Sequence, residues 1–129
     1  MEVGAFYASF RDVPGSAWRW EHFKPAEIAC KGSGALLLIP DAMDALERAR
    51  VADGKPFRIL SAYRSPLHNA RVGGAPKSAH KDGTAFDIAL GGRAHDTLIA
   101  TCRIAGFGSF GRYKTFLHVD LRRGRSWNS

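Results

Sequence analysis

The stretch Ser78-Ala79-His80-Lys81-Asp82-Gly83-Thr84-Ala85-Phe86-Asp87 carries a polar loop into a strand. From Thr84 to Leu90 the chain alternates. Phe86, Ile88 and Leu90 face one way, and Ala85, Asp87 and Ala89 face the other. That alternation predicts a half-buried strand. Asp87 thus stands on a face lined by small residues, with room beside it for an ion and a substrate. Thr115 to Leu121 repeats the pattern, with Leu117, Val119 and Leu121 on the core face and Phe116, His118 and Asp120 on the other. Gly83 lets the chain turn between His80 and Asp87. If these segments meet, His80, Asp87 and His118 form a ligand set for zinc. Zinc takes nitrogen and oxygen ligands tetrahedrally, and a catalytic site leaves the fourth position to water. A lone histidine is more often an ordinary hydrogen-bonded residue, so the reading requires all three to converge.

Working outward, residues 61–83 read as one long loop rich in Gly, Pro, Ser and Asn. A loop of that length in a small domain is usually functional. Upstream, Pro40-Asp41 opens a helix running to about Ala52 and ended by Gly54. Met43, Leu46 and Val51 are its predicted apolar stripe, with Glu47, Arg48 and Arg50 outside. Asp41 and Asp44 suit its N-terminus. Phe57 to Leu60 reads as a short strand. Downstream, Gly91-Gly92 is a turn and Arg93 to Ala105 a second helix, with Leu98, Ile99, Cys102 and Ile104 available for packing. Gly106 ends it, and Phe107 to Tyr113 is a Gly-rich turn or hairpin. Helices interspersed with short, mostly hairpin-connected strands predict an α+β domain.

The 129 residues suggest one domain over 1–129, with 1–17 as an N-terminal arm. A hydrophobic share of 45% can build a core without a structural metal, so a metal here would serve chemistry. The aromatics of residues 1–23, including Trp18 and Trp20 around Arg19, form either a stacking platform or an arm packed on the core; packing is the commoner use. Cys30 and Cys102 sit among apolar neighbours and read as buried thiols. Net charge is +7, and residues 111–129 set five cations against Asp120 alone. Such a patch attracts polyanions or simply aids solubility. Charge alone supports nucleic-acid binding, and no helix-turn-helix, zinc-finger or RNA-binding signature joins it. Met1 to Trp20 lacks the apolar core of a signal peptide, and no window reaches the length of a membrane span. The expectation is synthesis in the cytoplasm, no membrane insertion, and another exit route to any extracellular site.

The pattern Ser-x-His-x-x-Gly-x-Ala-x-Asp, followed by His118-Val119-Asp120, resembles the zinc D-alanyl-D-alanine carboxypeptidase and endopeptidase family, peptidase M15. Ser61-Ala62-Tyr63-Arg64-Ser65-Pro66 resembles that family's Ser-Gly-Tyr-Arg-Ser-Pro segment, continued by His68-Asn69 and Gly73-Gly74-Ala75. Phe23 to Cys30 resembles the segment leading into its domain, and Arg125-Ser126-Trp127 its closing Arg-x-Trp. The likeness spans about residues 18–127.

The resemblance implies the fold shared with the Hedgehog signalling domain: a small, mostly antiparallel sheet with helices packed on one side. It implies zinc held by His80, Asp87 and His118. It makes Arg64 the cation near the substrate carbonyl or carboxylate, and Ser78 a hydrogen-bonding partner for substrate backbone. The implied reaction is metal-assisted amide hydrolysis in a peptidoglycan stem peptide. One departure stands out. Where several relatives place a Glu, Asp or His before the last ligand, this chain has Thr115 and Phe116. Asp120 is then the best candidate base, or a partner that orients His118. Asp82 and His68 are fallbacks. Size, charge and the N-terminus suit a phage endolysin-like enzyme acting at the cell wall. The alternative is a weak or inactive structural or attachment module of a virion, in contact with virion subunits.

Overall fold

A computed structural model describes residues 2–129, so Met1 of the predicted arm lies outside the described residues. In chain order the strands are β1 (Ala5–Tyr7), β2 (Leu36–Leu38), β3 (Ile59–Ser61), β4 (Ala85–Ala89), β5 (Ser109–Arg112), β6 (Phe116–Asp120) and β7 (Arg125–Asn128). The α-helices are α1 (Pro25–Ile28), α2 (Pro40–Asp53), α3 (Pro66–Arg71) and α4 (His95–Ala105). Strands β1 and β2 form an antiparallel pair, and the other five form one sheet in the order β3-β4-β6-β5-β7. Every pairing in the sheet is antiparallel except β5 with β7. This is the expected α+β architecture with a mostly antiparallel sheet.

The two alternating segments are neighbours in that sheet. Asp87 pairs with His118, and Ala85 with Asp120. Phe86, Ile88, Leu117 and Val119 point into one apolar core with Phe110 and the buried faces of α2 and α4. The opposite face holds Asp87, His118 and Asp120, all three buried.

Helix α2 begins on Pro40 and stops at Gly54, whose φ of +83° is a left-handed conformation that suits glycine. Its core stripe is Ala42, Met43, Ala45, Leu46 and Ala49. Val51 is 58% exposed, contrary to the sequence reading, because alanines carry the stripe and Val51 falls off it. Ile104 is likewise exposed, since Leu98, Cys102 and Ala105 take the buried face of α4. That helix starts at His95 rather than Arg93. The Arg93 guanidinium instead pairs with Asp53 at 2.8 Å and with the Leu90 carbonyl at 3.1 Å.

The segment 61–83 is not one loop. It contains α3 and a 3-10 turn at Ala79–Asp82. Both start on a serine whose hydroxyl accepts a backbone N–H, from His68 to Ser65 and from His80 to Ser78, each at 3.2 Å. The arm is packed on the core: β1 pairs with β2, Tyr7, Phe10 and Val13 pack against the buried cluster, and just beyond the arm Trp20 and Phe23 are buried. Trp18 and Trp20 meet edge to face at 5.0 Å, and their ring nitrogens donate to the Phe23 carbonyl and to Asp44. Cys30 and Cys102 are free and buried. Burial pushes the Cys102 thiol up to about 12.

Candidate metal centre

Strand register sets the centre. Asp87 on β4 and His118 on β6 are directly paired, and the 3-10 turn just before β4 brings His80 to them. Their ligand atoms all lie within 4.8 Å of one another, and all three residues are buried. Asp87 Oδ1 is 3.2 Å from His80 Nε2 and 3.1 Å from His118 Nδ1.

The outward nitrogens decide the chemistry. His80 Nδ1 lies 2.6 Å from the Ala62 carbonyl oxygen, which can only accept. His118 Nε2 lies 2.7 Å from Asp120 Oδ2, also an acceptor. Each outward nitrogen therefore carries a ring hydrogen, and in the neutral ring the inward nitrogen has its lone pair to offer a metal. Two lone pairs and a carboxylate oxygen converge on one point. Two imidazoles and one carboxylate are the donor types that zinc takes, with a position left open, so the residues present fit the ion.

Without an ion, an inward ring proton can bridge either histidine to Asp87. Burial pushes the Asp87 carboxyl up, but hydrogen bonds from His118 and His80 outweigh it and hold the group down to about 2. Burial pushes His118 down, but its bonds to Asp120 and Asp87 leave it raised above its ordinary value. The remaining Asp87 oxygen faces Arg64 Nη2 at 3.6 Å.

Arg64 is held on two more sides. Nε donates to Ser61 Oγ at 3.1 Å and Nη1 to Asn69 Oδ1 at 3.2 Å. Asn69 is buried and donates to the Ala75 carbonyl. Asp120 is buried as well: Oδ2 takes the His118 proton donor and Oδ1 accepts the Arg122 backbone N–H at 2.8 Å.

His80, Asp87, His118, Arg64 and Asp120 line an open cleft of about 620 Å³, with Ser78 on its wall. Of the three residues considered as bases, Asp120 alone lines it. Asp82 sits outside, paired with Arg122 at 3.1 Å, and the His68 ring packs on Gly32. Phe116 stacks on Tyr113 at 4.4 Å.

Sequence reading assigned no part to Trp127, whose ring lies 5.0 Å from that of His118. Trp127 also donates from Nε1 to the Tyr113 hydroxyl at 3.1 Å. The closing Arg-x-Trp was its one visible signal. Register explains the contact: His118, Gly111 and Trp127 are consecutive partners across β6, β5 and β7. A Cβ on Gly111 would lie 2.6 Å from Trp127 Cζ2. Gly111→Ala is therefore expected to dislodge the indole and cost about 1–3 kcal/mol, as overpacking does. Chemical denaturation reads the cost, and an unchanged midpoint would contradict the packing described.

A small α+β domain with a buried His-Asp-His set on the open face of its sheet has the build of a small metallopeptidase. The chain belongs to the peptidase M15 family, whose model matches residues 21–120. Peptidases of this family are zinc-dependent and act on peptidoglycan-type substrates. The match is shorter than the span of the sequence resemblance, and β7 falls outside it. No curated protein matches the chain.

Proposed function

We propose that this chain is a zinc peptidase that hydrolyses an amide bond in a peptidoglycan stem peptide, in the manner of a phage endolysin. The observation that carries this reading is the convergence of His80, Asp87 and His118 at the cleft, with both outward ring nitrogens already committed. These three would hold the ion. Bound zinc supplies Lewis-acid polarisation of an amide carbonyl and acidification of water.

The chain's own residues do the rest. Arg64 steadies Asp87 and sets a positive charge beside the ligand set, where a scissile carbonyl oxygen gains negative charge. Ser78 lines the cleft with its hydroxyl hydrogen free to donate to substrate backbone, because its oxygen accepts from His80 N. Asp120 has both oxygens engaged, so it acts as the partner that orients His118. The net charge of +7 suits an acidic wall, and wall binding is expected to weaken with salt. No helix among the described residues is long and apolar enough to cross a membrane.

A second reading is favoured by one observation. The two carboxylates lining the cleft, Asp87 and Asp120, are both committed. A zinc-binding module of a virion, keeping the fold with little turnover, would look like this.

Digestion of muropeptides from several wall chemotypes, followed by mass spectrometry, separates the readings. The zinc-loaded protein is expected to open one class of stem-peptide amide, to stop on chelation and to resume when zinc is restored. Failure to cut any chemotype while holding stoichiometric zinc would overturn the peptidase reading in favour of the second.

A further inference from the structure

We infer that β7 builds a carboxylate-binding subsite beside the metal centre, with Arg125 as its cation and Trp127 as its platform. The inference rests on the peptidase reading and narrows its substrate to stem peptides carrying a free carboxylate near the bond cut.

Register places the subsite. Across β4, β6, β5 and β7, one row runs Asp87, His118, Gly111, Trp127 and the next runs Ala85, Asp120, Ser109, Arg125. Side chains of both rows share the open face, because Phe110 between Ser109 and Gly111 is buried in the core. Gly111 and the buried Ser109 are the β5 residues between the metal ligands and β7. The indole of Trp127 lies over Gly111 beside the His118 ring, fixed by the Tyr113 hydroxyl.

The charges then select the ligand. Four cations line the cleft: Arg64, Lys77, Arg122 and Arg125. Arg64 is spent on Asp87, Ser61 and Asn69. Arg122 is spent on Asp82 and the Lys77 carbonyl. Among the described residues Arg125 makes no ion pair and no side-chain hydrogen bond; its guanidinium lies 5.8 Å from the Trp127 ring centre. A guanidinium resting on an aromatic face keeps its planar fork for a bidentate carboxylate. Among the described residues Lys77 also makes no ion pair, but it is a point charge on a flexible stem and has no such platform. Both cleft carboxylates are engaged, so no internal anion competes for Arg125.

Calorimetry on the full chain stripped of zinc, to prevent turnover, tests this. The probes are a synthetic stem tetrapeptide and two variants, one with the glutamyl α-carboxyl as an amide and one with the C-terminal carboxyl as an amide. One of the two amidations is expected to weaken binding about tenfold, the scale of a charge-assisted hydrogen bond. Arg125→Gln should erase that ratio, Arg125→Lys should keep part of it, and Lys77→Gln should leave it intact. Circular dichroism confirms that each variant is folded. The inference is overturned if neither amidation matters, if no peptide binds, if the ratio survives Arg125→Gln, or if Lys77→Gln removes it. Cleavage is scored separately with zinc-loaded wild type. A protein that cleaves without showing the ratio loses only this inference. One that shows the ratio and cleaves nothing loses the peptidase reading.

Discussion

Replacing His80 with alanine is expected to empty the centre. Wild type should purify with, or take up, about one zinc per chain, as a single three-ligand site allows. His80→Ala should hold none after dialysis, its affinity falling by more than about 100-fold, beyond the loss seen on removing an outer partner. The reason lies in the geometry. His80 supplies one of two inward nitrogens, its ring held in place by the Ala62 carbonyl, and His80, Asp87 and His118 are the metal-ligand cluster found among the described residues. The variant also leaves Asp87 with one fewer hydrogen bond in a buried setting. Metal analysis should therefore accompany a denaturation curve, so that loss of zinc is read on folded protein. Stoichiometric zinc in folded His80→Ala would remove His80 from the ligand set.

The second large effect concerns Asp120. If this carboxylate orients His118, Asp120→Ala should lower zinc affinity about 10–100-fold. It should also destabilise the metal-free fold by about 1–3 kcal/mol, because the buried His118 N–H and the Arg122 N–H both lose their acceptor. Asp120→Asn keeps one acceptor oxygen and should fall between the two. Competition titration with a chelator measures the affinities, and stem-peptide cleavage is followed on the same samples. The orienting role predicts that zinc binding and cleavage fall together. Zinc affinity untouched in both variants, with cleavage abolished, would make Asp120 the base instead.

The reach of the sequence can be judged residue by residue. Asp87 and His118 were legible because strand alternation encodes which face a side chain takes, and two half-buried strands sharing a sheet bring like faces together. Gly54 and Gly106 were legible because helix ends favour glycine. Helix α3 and the 3-10 turn were not, since six and four residues are too few to show a period. Their serine caps were present but local. Val51 and Ile104 misled because apolar character was read without the alanines that complete each stripe. Strand β7 is short, largely exposed and paired in parallel to a strand some sixteen residues back, so alternation carried no signal. The engagement of Arg64 by Ser61 and Asn69 depends on how α3 folds the loop, which no spacing rule supplies.

The central claim is that His80, Asp87 and His118 hold one zinc ion. X-ray absorption at the zinc edge, on protein loaded with one equivalent, tests it most directly. The account predicts a shell of nitrogen and oxygen scatterers at about 2.0–2.2 Å, with the outer signature of two imidazoles and no sulfur. A sulfur shell at about 2.3 Å would instead place the metal on Cys30 or Cys102 and contradict the account. So would an environment with no imidazole at all.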